Sequence, residues 1–206
     1  MTTATIMTSA PIMTTAPITT ATGSTAERAI SVLVLAFSSD PACRWAWPEP
    51  RQYLTSFPGF VRAFAGRAFE HGTAYCLRGY AGAALWLPPG VYPDEETVAA
   101  LLRATVAEPD QADLFAVFEQ MAGYHPSEPH WYLPLIGVDP RRQGRGYGSE
   151  LMRHALAACD RDGMPAYLES TNPANISLYE RHGFEALGTI QVGASPPIFP
   201  MLRRPR

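Results

Sequence analysis

The chain has 206 residues, 47% of them apolar, which is enough to bury a full core as one unit. Its formal net charge is only -3 and every basic side chain is arginine, a balance that argues against a nucleic-acid binder and against a charged membrane-surface protein. Cys43, Cys76 and Cys159 form no CxxC or Cys/His cluster, which argues against a disulfide framework and against any metal site. With no apolar run near the ~20 residues of a span and no export signal, they read as buried thiols in a reducing cytoplasm.

In chain order, residues 1–15 are Thr-rich and repetitive (TIMTSAP, PIMTTAP), an uncharged tail with no core of its own; residues 16–206 are read as the domain. PITTAT from Pro17 is a candidate first edge strand. From Thr25, Ala29, Ile30, Leu33, Val34 and Phe37 recur at helical spacing until SSDP ends the run. A second helix follows Pro50 and carries Tyr53, Leu54, Phe57, Phe60, Val61 and Phe64; PGF at 58–60 is expected to break or kink it. TAYCL and YAGAALWL, joined at Arg78-Gly79, read as a hairpin that PPG at 88–90 terminates. DEETVAALLRATV and QADLFAVFEQMAGY read as two further helices separated by EPD.

After HPSEPH, the near-continuous apolar run WYLPLIGVDP predicts a strand buried on both faces. Pro134 within it cannot donate to a ladder, so the strand should carry a bulge or gap there, or lie at an edge. A glycine-rich turn then opens the helix SELMRHALAACDRDG, where Leu151, Met152, Ala155, Leu156 and Cys159 form one stripe. PAYLES is a strand. NPANISLYERHG is a short helix, with Asn172 as its cap, Pro173 at its first position and Gly183 just past its end. FEALGTIQV and PIFPML close the chain as antiparallel strands, and the whole order predicts an α/β (mixed α+β) fold.

The glycine turn, RRQGRGYGSELM from Arg141, carries the sharpest chemistry. A dinucleotide fingerprint begun at Gly144 fails at Ser149, one begun at Gly146 fails at Leu151, and a Walker A loop needs the lysine that the chain lacks. What remains is glycine at 144, 146 and 148 immediately before a helix. Such a backbone can turn successive N-H groups into one concavity beside the positive end of the helix dipole, which suits a pyrophosphate, and Arg141, Arg142 and Arg145 supply charge nearby. By itself the spacing also fits a flexible turn ahead of a surface helix.

The longer stretch GVDPRRQGRGYGSELM resembles the acetyl-CoA loop of the GNAT N-acetyltransferase superfamily, whose pattern is Gln or Arg, two residues, Gly, one residue, Gly or Ala; Gln143, Gly146 and Gly148 fill it. NPANISLYERHGF resembles the later helix of that superfamily, which places an Asn on the coenzyme and a Tyr by its sulfur. HPSEPHWYL and ALWLPPG are similar to its puromycin N-acetyltransferase branch. The likeness covers roughly residues 17–204, is strongest over 125–184 and is weak before residue 70, where an acceptor site would be built. It implies a GNAT-like fold with a splayed central sheet flanked by helices, and acetyl-CoA as cosubstrate. It also implies a coenzyme site made of Gln143, Gly144, Arg145, Gly146, Tyr147, Gly148, Ser149 and Asn175, with main-chain groups of Ile136 and Val138 pairing with pantetheine.

The same resemblance makes Tyr179 the expected general acid. It shares a helix face with Asn175, four positions earlier, and a phenol stays protonated at neutral pH. Without that context it reads as a core tyrosine. The base is left open among His130, Glu128, Glu169 and a water chain; His71, His125, His154 and His182 read as structural or exposed. Trp45, Trp47 and Tyr53, in the linker SSDPACRWAWPEPRQY, can wall a flat or apolar acceptor or pack the core. The expectation is acetyl transfer to a primary amine of a small molecule, by a monomer or homodimer without nucleic-acid or membrane partners. The alternatives are a protein amine acceptor, or a module that binds acetyl-CoA without turnover.

Overall fold

The computed structural model describes residues 17–206, so the tail expected at 1–15 lies outside the described residues. Seven strands form one sheet: β1 (Ile18–Thr20), β2 (Ala74–Leu77), β3 (Gly82–Leu87), β4 (Trp131–Val138), β5 (Ala166–Ser170), β6 (Glu185–Ala186) and β7 (Phe199–Arg203). Their spatial order is β1-β2-β3-β4-β5-β7-β6, and every neighbouring pair is antiparallel except β4 and β5. PITTAT therefore forms the edge strand its pattern predicts. The other edge is shorter than the sequence pattern suggests, since FEALGTIQV supplies only the two residues of β6 and an isolated bridge between Ile190 and Ile198. Leu187 donates to the carbonyl of Pro200, but a proline returns no bond, and the ladder stops there.

Helices cover both faces. On one lie α1 (Ala26–Ala36), α2 (Pro41–Ala46), α3 (Pro50–Ala65), the single turn α4 (Arg67–Glu70), α5 (Glu95–Thr105) and α6 (Glu108–Tyr124); on the other lie α7 (Tyr147–Asp162) and α8 (Ile176–Arg181). The period-two alternation of the central strands divides their side chains between these layers. Leu85, Leu87 and Tyr132 enter the first core, while Trp86, Trp131, Leu133 and Leu168 enter the second. Cys43, Cys76 and Cys159 are all buried and unbridged, and burial pushes the Cys76 thiol up to about 11 and that of Cys159 up to about 12.

Three helix boundaries differ from the sequence expectation. PGF does not break the second helix: α3 runs unbroken from Pro50 to Ala65 with Pro58 inside. The carbonyl that Pro58 leaves unpaired belongs to Leu54, which is 57% exposed, so water can satisfy it. The linker after SSDP folds as α2, because the carboxylate of Asp40 accepts from the N-H groups of Ala42 and Cys43 and Pro41 suits the first turn. EPD is not a separator but the first turn of α6, where a proline and two acidic side chains fit a helix N-terminus.

Candidate active site

The central strands part at Pro134. β4 pairs with β5 only at Trp131, Tyr132 and Leu133, then continues alongside β3 to Val138 while β5 continues alongside β7 to Ser170. The β3–β4 register also shifts here, with Leu85 opposite Leu135 but Leu87 opposite Tyr132, so β4 holds one extra residue. That bulge turns the backbone over. The N-H of Trp131 donates toward β5, to Pro165, whereas that of Asp139 donates toward β3, to Ala81, although the two residues have the same parity. Beyond the bulge the main-chain groups of Ile136 and Val138 consequently face the side from which β5 has departed.

The glycine turn lies at the end of this split. Gly144 and Gly146 both hold left-handed backbone, with φ of 74° and 83°. Gly146 is the N-cap of α7, and no side chain caps that terminus. The amide of Gln143 donates to the carbonyl of Val138 over 3.2 Å, tying the turn back to β4. Arg141, Arg142 and Arg145 are exposed around it. Gly148 serves packing: a Cβ there would stand 3.2 Å from Cδ2 of Leu178, so the missing side chain lets α7 approach α8. These features fit a coenzyme diphosphate at the turn and pantetheine along Ile136 and Val138.

On the inner side of the split is a cavity of about 110 Å³ floored by Pro134, Leu135 and Ile136. Its walls are mainly aromatic: Phe57, Phe60 and Phe64 come from α3, Phe118 from α6, and Trp45 and Trp47 from α2 and its end. Glu169, Thr171, Asn175 and Tyr179 add polar groups to the lining, and among the described residues Glu169 is the only carboxylate in it. Tyr179 is buried, and burial first, then the charge of Asp40, pushes its hydroxyl well above the ordinary tyrosine range. Asn175 is exposed at the rim. Trp47 both lines the cavity and packs the core, its indole N-H donating to Thr105 over 3.1 Å. Tyr53 does not reach the cavity: it is 2% exposed, stacks on Phe57, and donates to the carbonyl of Val34 over 2.7 Å.

Of the three carboxylate and imidazole candidates for a base, only Glu169 reaches this cavity. Glu128 is exposed and pairs with Arg204, and His130 lies in a neighbouring cleft of about 560 Å³. The Glu169 side chain is 3% exposed. Its Oε2 accepts from the hydroxyl of Tyr132 over 2.9 Å, while Oε1 is buried without an aligned hydrogen bond and lies 3.2 Å from Nε2 of His125. His125, the residue that caps the C-terminus of α6, was not singled out by the sequence pattern; nor were Asp40 and Thr171. Thr171 donates to Asp40 over 2.6 Å, linking the end of β5 to the start of α2 and so fixing where Trp45 and Trp47 stand. A single Thr, Asp or His in a loop has no periodicity or spacing that would mark it.

The sequence model of the acetyltransferase (GNAT) family matches residues 40–184, a span that includes the split strands, the glycine turn, Glu169 and Tyr179. An uncharacterized N-acetyltransferase of Schizosaccharomyces pombe is 26% identical over 202 aligned residues, covering 87% of this chain and 79% of that protein. A mycothiol acetyltransferase of Gordonia bronchialis is 33% identical over 136 residues, 60% of this chain but only 42% of its own, so the chain spans less than half of that relative. Among solved structures, the Corynebacterium glutamicum protein described as histone acetyltransferase HPA2 and related acetyltransferase superposes with a TM-score of 0.64 at 24% identity, covering 92% of this chain and 96% of its own. Arylalkylamine N-acetyltransferase 2 of Aedes aegypti shares the fold with a TM-score of 0.63 at 13% identity, covering 92% and 99%. With a family match across most of its length and the split sheet beside the glycine turn, the chain belongs to the GNAT acetyltransferase family.

Proposed function

We propose that this acetyltransferase transfers the acetyl group of acetyl-CoA directly to the primary amine of a small molecule with a flat or apolar body. The observation that carries this reading is the cavity itself: aromatic on its walls, bordered by α3 and α6, and lined by the carboxylate of Glu169 from β5 and the phenol of Tyr179 from α8. A peptide amine would bring chain with it and need more room than a cavity of about 110 Å³ holds. The names of two solved relatives, an arylalkylamine acetyltransferase and an agmatine acetyltransferase, are in line with a small amine acceptor.

Bound coenzyme supplies the thioester and hence the acetyl group. Gly144, Gly146 and the uncapped start of α7 present N-H groups to its diphosphate, Arg145 adds charge, and Ile136 and Val138 offer strand-like pairing along the split. The N-H of Ile136 faces the region where the carbonyl oxygen gains negative charge. Apolar walls disfavour an ammonium, and Glu169, with Oε2 held by Tyr132 and Oε1 beside Nε2 of His125, takes the proton that the amine must lose before attack. As the carbon–sulfur bond breaks, the Tyr179 hydroxyl gives its proton to the leaving sulfur. Asp40 and Thr171 keep the aromatic wall in position against the end of β5.

The test is free thiol release from acetyl-CoA over a panel of arylalkylamines, aliphatic amines and peptides. Turnover confined to small amines with apolar bodies is the expected result. Turnover only with peptides would overturn the acceptor class, and coenzyme binding with no turnover on any amine would overturn catalysis.

A further inference from the structure

β3 and β4 are antiparallel neighbours, paired from Gly82 opposite Val138 to Leu87 opposite Tyr132, so a turn of a few residues could join them. Residues 88–130 intervene instead and fold as α5 and α6. The cleft of about 560 Å³ is the product of that segment: among the described residues, only Phe64 of α3 and Tyr132 of β4 enter its lining from outside. Val98, Ala99 and Leu102 share one face of α5, and Phe115, Phe118 and Met121 follow one face of α6. The side-chain amide of Gln111 ties the turn between the helices, donating to the carbonyls of Arg103 and Val106 over 3.1 and 2.9 Å. Even so, Ala99, Phe115, Phe118 and Met121 stay only half-buried. Large apolar side chains held part-open along a concave face offer a surface to the apolar part of a ligand. The polar members are Glu95, Ser127 and Glu128, all exposed, and the half-buried His125 and His130; Glu128 is paired with Arg204.

This cleft and the catalytic cavity share a wall one side chain thick, because Phe64, Leu102, Phe118 and Met121 line both. Tyr132 marks the same junction: its ring lines the cleft and meets Phe64 edge-on at 6.1 Å, while its hydroxyl donates to Oε2 of Glu169 over 2.9 Å. The two volumes are unequal. A cavity of about 110 Å³ has room for the acetyl group and the amine-bearing end of an acceptor, whereas sites for whole small molecules run to about 300–1,000 Å³. We propose that the second cleft binds the body of the acceptor, and that the acceptor is a primary amine on an extended apolar chain whose nitrogen reaches Glu169 past Phe118 and Met121. The proposal rests on the reading of the catalytic cavity as the place where a small amine is acetylated. Phe118 and Met121 are the members of the shared wall free to turn: both are half-buried beside open space, and an unbranched thioether adapts its shape at little cost. A peptide gains nothing from the same path, since Phe115, Phe118 and Met121 offer no partner to the N-H and C=O groups that each of its residues carries.

The test uses the full chain with acetyl-CoA and butylamine, hexylamine and octylamine, followed by thiol release. In the wild type, kcat/KM should rise through octylamine by up to about fourfold per added methylene, whereas the small cavity alone would end the rise near butylamine. Ala99→Trp and Ala122→Trp fill the cleft from positions that do not line the catalytic cavity. Each should cut the octylamine-to-butylamine ratio of kcat/KM by about tenfold or more, and a ratio within one variant is unmoved by a general loss of folded enzyme. Ala122 is exposed, so its variant carries the test should Ala99→Trp fail to fold. Octylamine should also outperform 1,8-diaminooctane, whose second ammonium would lie unpaired against the apolar row. A wild-type ratio near one, or an undiminished ratio in the folded variants, would overturn the cleft assignment while turnover of butylamine keeps the small-amine reading standing. A diamine better than octylamine would overturn the apolar class of acceptor. If no amine turns over, or only peptides do, the small-amine reading fails and the cleft assignment falls with it.

Discussion

At Tyr179, burial and the nearby charge of Asp40 act in the same direction, keeping the hydroxyl protonated well past the pH at which an exposed tyrosine ionises. A group held in its acid form can serve the leaving sulfur throughout the neutral and mildly alkaline range. Tyr179→Phe is therefore expected to lower kcat by about 100-fold or more, by a similar factor from about pH 6 to pH 9, with KM for acetyl-CoA little changed; thiol-release kinetics across pH measure it. A loss that varied strongly over that range would mean the phenol titrates there and acts otherwise. That Asn175 and Tyr179 would come to one site was legible in their spacing, and both line the cavity, although Asn175 stands at the N-cap of α8, after a 3-10 turn, rather than within the helix. The choice among Glu169, Glu128 and His130 was not, since all three sit at strand ends or in loops with similar local sequence. Only the partners across space separate them: Tyr132 for Glu169, Arg204 for Glu128.

Among the elements, the turn from Gln143 to Ser149 was readable because glycine's tolerance of positive φ is a property of the residue itself. Its structure adds that the glycines do different work. At Gly146 a β-branched side chain would oppose a φ of 83° at the start of α7. Gly146→Val should raise the dissociation constant for acetyl-CoA by about tenfold or more, for a strain of roughly 1–3 kcal/mol, measured by calorimetry on folded protein. At Gly148 the obstacle is Leu178, one residue from Tyr179, so Gly148→Val should push α8 away and reduce kcat more than coenzyme affinity. The continuous α3 is the converse lesson: PGF was expected to break or kink the helix, but the one hydrogen bond that Pro58 removes is outweighed by the packing of Phe57, Val61 and Phe64 into the core.

For the whole molecule, the closing strand is pinned by charge as well as by its ladder. Arg203 of β7 is buried and makes two bonds, of 2.7 and 2.8 Å, to Asp160 of α7, which also accepts from the backbone of Arg206. The hydrogen bond from Arg203, the largest influence, holds the carboxyl of Asp160 below its ordinary range. A carboxylate whose folded pKa is depressed contributes stability above its unfolded pKa, near 3.9, and loses it as pH falls through the folded value. The melting temperature should accordingly fall as pH drops from about 5 toward 2, and Asp160→Asn should melt lower at neutral pH yet show a shallower acid slope, as read by calorimetry. Helix periods, the hairpin, the glycine turn and the family were set by the sequence alone, because backbone preference and side-chain chemistry act over a few residues and survive in any context. Tertiary structure decided the rest: that Tyr53 packs the core while Trp45 borders the cavity, and that Glu169 meets His125 from far along the chain. Those outcomes depend on strand register, and one extra residue at Pro134 turns over every main-chain group that follows it.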